Sequence, residues 1–173
     1  MKLKISIISI VFSVVAGCAS YSSSDNDFVR LKYFDISLSK AKWKWGYGGE
    51  NKQEGLNEYV HLGETVQNWK ELVTEQYVFV FDKNLLSKYV SVIESQLRNG
   101  SKDFKWTVIE KNDSSIVYEW SHKGSGIYPP TYEVAKLIAA NGGLYRIAYD
   151  KYTEKIDGGV LEWKKIIKNA KIK

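Results

Sequence analysis

The sequence predicts an α+β fold, a largely antiparallel sheet packed with helices. Three features carry that prediction. The elements follow one another without regular βαβ alternation. A strongly periodic helix sits mid-chain, and two hairpins follow it in succession.

Phe28 to Leu38 alternates weakly and is expected to form a strand. Trp43, Trp45 and Tyr47 then alternate with Lys42, Lys44 and Gly46, which predicts a second strand ending in a Gly48-Gly49 turn. Glu50 to Gly55 is expected to be an exposed loop, and Glu58 to Leu62 a short strand. Thr65 has the hydroxyl an N-cap needs. Val66, Trp69 and Val73 share a face at helical spacing, so a short helix is expected there, handing over to a strand over Val73 to Phe81.

The spacing of Leu85, Tyr89, Ile93 and Leu97, flanked by Leu86 and Val90, predicts a helix that stops at Asn99-Gly100. Lys105 to Glu110 and Ile116 to His122 flank a polar loop and predict a hairpin. Thr131 to Ala140 and Leu144 to Tyr152 predict another, turning at Asn141-Gly142-Gly143, where positive φ comes cheaply. Gly158-Gly159 opens a last helix whose stripe is Val160, Trp163, Ile167 and Ala170, with Lys164, Lys165 and Lys168 toward its negative end.

The N-terminus has a different logic. Lys2 and Lys4 precede an apolar run from Ile5 to Val15, too short to span a bilayer but right for the core of a signal peptide. Val15-Ala16-Gly17-Cys18 resembles the bacterial lipobox at all of its positions. That resemblance implies cleavage before Cys18, lipidation of its thiol and anchoring of the chain to a membrane. Two acyl chains on the thioether make such an anchor effectively permanent. Ala19, rather than Asp, follows the cysteine, which for a Gram-negative host implies an outer-membrane lipoprotein facing the periplasm. The expected organisation is a signal peptide over 1–17, a lipid-anchored, Ser-rich flexible tether over 18–27 and a single α+β domain over 28–173.

Composition narrows the function classes. With 44% hydrophobic and 14% aromatic residues the body is expected to fold. Two of the 25 basic residues lie in the leader, leaving 23 against 20 acidic ones, too even a balance to suggest nucleic acid. Cys18 is the only cysteine, so neither an internal disulfide nor a thiolate metal cluster can form.

No motif for metal, cofactor or nucleotide is found, and none of these is expected. His61 and His122 are far apart and fit no HExxH pattern. Gly124-Ser125-Gly126 lacks nucleophile-elbow spacing, and Gly46-Tyr47-Gly48-Gly49 leads into acidic residues ill suited to phosphate. Glu50, Glu54 and Glu58 are near one another in sequence only.

The six tryptophans are the compositional oddity. Trp106, Trp120 and Trp163 lie on apolar faces and are expected in the core. Trp43, Trp45, Tyr47 and the loop residue Tyr128 are the candidate binding surface, since exposed aromatics anchor protein or glycan partners. The leading expectation is a non-enzymatic envelope module recognising another envelope component. The alternative is an envelope hydrolase with a site assembled from distant residues.

The stretch from Gly63 to Thr74, with Asn68-Trp69-Lys70-Glu71 at its centre, resembles the NWxE segment of small bacterial secreted proteins and lipoproteins. Glu162-Trp163 through Ala170-Lys171 is similar to their last helix. The resemblance implies a Mog1/PsbP-like sandwich and brings no catalytic residues with it.

Overall fold

The computed structural model describes residues 27–79, 85–100, 103–124 and 129–173. Cys18, the leader and Tyr128 lie outside the described residues, as do most of the expected tether and the end of the Val73 to Phe81 strand. The chain forms β1 (Phe28–Arg30), β2 (Ser37–Ser39), β3 (Trp43–Glu50), β4 (Glu54–His61), β5 (Glu71–Phe79) and α1 (Leu85–Gly100). There follow β6 (Lys105–Lys111), β7 (Ser115–His122), β8 (Thr131–Ala140), β9 (Gly143–Tyr152) and α2 (Gly158–Asn169). β1 and β2 pair with each other. The rest form one antiparallel sheet in the order β3-β4-β5-β9-β8-β7-β6. The fold is thus α+β with a dominant antiparallel sheet.

Residues opposite one another across antiparallel strands share a face, so the register sorts the sheet into two sides. Tyr59, Val73, Tyr149 and Val134 form a continuous row on one side. They are buried with Val160 and Ile167 of α2 and with Leu31, Phe34 and Leu38 of the β1–β2 hairpin. On the other side Tyr118, Ala135 and Ala148 form a row. There the stripe of α1, Leu86, Val90, Ile93 and Leu97, packs over β7, β8 and β9.

The two late hairpins form where expected. Asn141 (φ 50°) and Gly142 (φ 75°) make the β8–β9 turn with the paired positive φ of a tight hairpin. Asn112 Oδ1 accepts from the backbone of Ser114 (2.9 Å) and Ser115 (2.8 Å) to close β6–β7. α1 ends at Gly100 as expected. In α2 the Asp157 carboxylate caps the helix, accepting from Val160 N at 2.9 Å, a partner the glycine reading overlooked. Lys136 of β8 donates to the Lys168 (2.8 Å) and Ala170 (2.9 Å) carbonyls, binding the other end of α2 to the sheet.

Four expectations are corrected. Phe28 to Leu38 is two short strands rather than one, because Leu31 and Phe34 both drive inward at the reversal, where Leu31 N donates to Ile36 O at 3.1 Å. Glu75 locks that reversal to the sheet. Its carboxylate accepts from Lys32 N (2.7 Å), Tyr33 N (2.8 Å), Tyr59 Oη (2.8 Å) and Asn57 Nδ2 (3.2 Å). Gly48 and Gly49 lie within β3 rather than in a turn. The chain reverses over residues 51–53, where Asn51 Oδ1 accepts from Gln53 N at 2.7 Å and Glu54 N at 3.0 Å. β4 therefore starts at Glu54 and the expected loop shrinks. Finally, the helix led by Thr65 does not form. Thr65 and Asn68 close a turn on each other, and the residues from Glu71 onward belong to β5, between β4 and β9. Helical spacing of three apolar residues yields there to two strands of ladder bonds.

Candidate functional site

β3 is an edge strand, and its aromatic residues divide three ways. Trp43 is 6% exposed, its ring edge-on to those of His61 (4.2 Å) and Trp163 (5.7 Å), so it belongs to the core and leaves the candidate surface. Trp45 is 55% and Tyr47 44% exposed. A bulge falls between them: Trp45 pairs with Tyr59, but Tyr47 pairs with Glu58. One extra residue reverses the alternation, so the two exposed rings stand on opposite faces of the edge. Among the described residues the ladder bonds of β3 run only to β4, leaving its outer backbone groups open. Tyr128, the remaining candidate, lies outside the described residues. Of the expected core tryptophans, Trp120 is buried, while Trp106 and Trp163 are half-buried against the two clusters.

The histidines lie on opposite faces. His61 pairs across the ladder with Trp43, and its Nε2 is 3.7 Å from Glu71 Oε2. Glu71 also meets Lys151 at 3.2 Å, which binds Asp157 at 2.6 Å, so this chain of charges fastens the start of α2 to the sheet. His122 is buried, its Nδ1 accepting from Gly124 N at 2.9 Å. A depression of about 20 Å³, room for one water, lies between α1 and the sheet. Its lining includes Glu50, Glu54, Leu56, Gln76 and Tyr89, and it reaches neither histidine. Glu50 and Glu54 both border this depression, but Glu50 is engaged by Lys32 and Tyr33 on one face and Glu58 lies on the other, so the three early carboxylates do not converge on one cleft.

A polar network that no sequence motif announces lies under this second face. Arg146 stands beside Gln76 and Leu137, and Glu133 beside Asp150, with the small Ala148 and Ala135 between them. The small side chains leave room for the guanidinium. It reaches Glu133 Oε1 (2.7 Å), Tyr118 Oη (3.0 Å) and Gln76 Oε1 (3.2 Å). Burial works most strongly against the charge on Arg146, but Glu133, Tyr118 and Asp150 together outweigh it and raise the pKa. Burial, then the neighbouring Glu133, drives the Asp150 carboxyl well above its usual range. Burial also pushes Glu58 up to about 7, against the pull of Arg146. The legible clue was the alternation Leu144, Arg146, Ala148, Asp150, which places two charges on the face opposite Tyr145, Ile147 and Tyr149.

The same face carries a second anomaly. Trp106 Nε1, Trp120 Nε1 and His122 Nε2 are shielded from solvent and have no hydrogen-bond partner among the described residues. Each such donor costs about 1–3 kcal/mol.

Among the described residues no cluster of His, Cys, Asp and Glu is arranged to hold a metal ion, and no helix is long and apolar enough to cross a membrane. No family model matches the chain, and no curated protein is significantly similar to it.

Proposed function

We propose that this chain is a lipid-anchored envelope lipoprotein, tethered through Cys18, whose body is a non-enzymatic binding or assembly module for another envelope component. The observation that carries the binding role is the exposure of Trp45 and Tyr47 on an edge strand that, among the described residues, has no ladder partner on its outer side. Large exposed aromatics are favoured as interface anchors, and an open strand edge offers main-chain bonds to a partner. Lys42 and Lys44 lend this end of the edge a positive character. The lipobox-like Val15-Ala16-Gly17-Cys18 supports the anchor, and Ala19 supports the outer membrane. The element order and the sheet with helices on both faces support a Mog1/PsbP-like arrangement.

Two experiments test this reading. A photo-crosslinking residue at position 45 or 47 should yield a discrete adduct in the native envelope, whereas one at the exposed Val92 of α1 should not. No adduct, or the same adduct from all three sites, would refute the surface. Cys18→Ser should abolish lipid labelling and release the body from membranes, and a variant that still carries lipid would refute the anchor.

A further inference from the structure

Hairpin β6–β7 turns a continuous aromatic panel toward α1. Trp106 and Trp120 are direct cross-strand partners. Trp106 stacks on Tyr118 at 4.4 Å and 18°, and Trp120 lies parallel to His122 at 5.9 Å and 9°. Phe104 approaches both indoles, at 6.1 and 6.0 Å. Three of the second face's unpartnered donors, Trp106 Nε1, Trp120 Nε1 and His122 Nε2, belong to this panel; Arg146 Nη2, beside Glu133, lies outside it.

These donors are neutral. Because Gly124 N donates to His122 Nδ1, the ring proton resides on Nε2, so His122 offers an N–H as the indoles do. Burial lowers the His122 pKa and keeps the ring uncharged. Three neutral N–H groups complement oxygen acceptors.

The other wall is apolar. Leu86, Val90, Ile93 and Leu97 of α1 close over the sheet beside the panel. The side-chain hydrogen bonds of α1, Ser91 to Ser87 and Arg98 to Glu94, stay within the helix. Among the described residues, none joins α1 to the sheet. The helix therefore rests on apolar contact and on Arg98 stacked over Phe104 at 5.2 Å, and it can shift without breaking a polar bond to the strands.

We propose that α1 and the β6–β7 panel enclose a binding site for a small amphiphile. Its apolar body lies along the α1 stripe, and its carbonyl or carboxylate oxygens accept from Trp106, Trp120 and His122. A free fatty acid and an esterified acyl chain share this chemistry. The site is separate from the β3 surface.

The test uses the purified full chain labelled with ¹⁵N at tryptophan, so that each indole N–H is read separately, and three probes: dodecanoate, methyl dodecanoate and dodecane. The expected result is a downfield shift of the Trp106 and Trp120 indole protons, but not that of Trp163, with an acyl probe and none with dodecane. A response to dodecanoate alone assigns the free acid, and a response to both acyl probes assigns the carbonyl. Failure of both, or an equal response to dodecane, would overturn the proposal. Trp120→Phe keeps the ring and removes one donor. It should weaken acyl binding by about tenfold without lowering the melting temperature. Unchanged affinity would overturn the assignment, and Trp106→Phe gives an independent reading should the first variant not fold.

Discussion

Trp43 and Trp45 stand two positions apart on one face of β3, yet Trp43 is 6% exposed and Trp45 55%. The difference comes from a distant element: Trp163 of α2 covers Trp43. We expect Trp43→Ala to cost about 3–5 kcal/mol of stability, as for other buried aromatics. Trp45→Ala should cost under about 1 kcal/mol. Urea unfolding measures both, and equal losses would contradict the division of β3.

Arg146 and Glu133 give a second prediction. Arg146→Met would leave the Glu133 and Asp150 carboxyls buried without a countercharge, at a cost of about 3–5 kcal/mol. Adding Glu133→Gln should recover part of that loss, because the stranded charge goes with it. A double variant no more stable than Arg146→Met would show that the pair does not act as a unit.

Glu58 should make stability fall as pH rises. Its folded pKa is raised to about 7 by burial, so the folded state holds the proton after the unfolded chain has released it. The contribution is fully present below the unfolded value, near 4.3, and is lost as pH climbs to about 7. Asp150, also raised, contributes in the same direction. Between about pH 5 and pH 7 the loss assigned to Glu58 is on the order of 2 kcal/mol. In thermal melts from about pH 5 to pH 7, Glu58→Gln should flatten the slope. An unchanged slope would assign the effect elsewhere.

Glycines test the packing of the β1–β2 reversal. A Cβ on Gly55 would stand 1.9 Å from Tyr33 Oη, and Tyr33 is held by Glu50. Gly55→Ala should therefore displace the ring and cost about 1–3 kcal/mol. Gly158, at the first turn of α2, has open space around it, and Gly158→Ala should be neutral or stabilising by up to about 1 kcal/mol. Differential scanning calorimetry on the pair checks the contrast, and equal behaviour would refute it.

Several elements were legible because their causes are local. The α1 stripe repeats within a few residues, and Asn141-Gly142 permits a tight hairpin whatever surrounds it. The helix expected from Thr65 fails to form for the opposite reason. Val66, Trp69 and Val73 have helical spacing, but Val73 is buried in β5 beside Tyr149 and Trp69 is stacked on Tyr152 at 4.0 Å. The weak alternation from Phe28 to Leu38 likewise concealed a reversal whose anchor, Glu75, is more than forty positions away.

Periodicity and turn chemistry, which act over a few residues, were enough to specify the α+β class, the long helix, both late hairpins and the last helix. Long-range packing sets which tryptophans face solvent, which charges meet and which donors go unpartnered. Arg146 and Gln76 are 70 positions apart, and ladder register and small neighbours bring them together. The interactions differ in range: backbone preference is settled locally, whereas burial and pairing depend on whatever the rest of the chain places nearby.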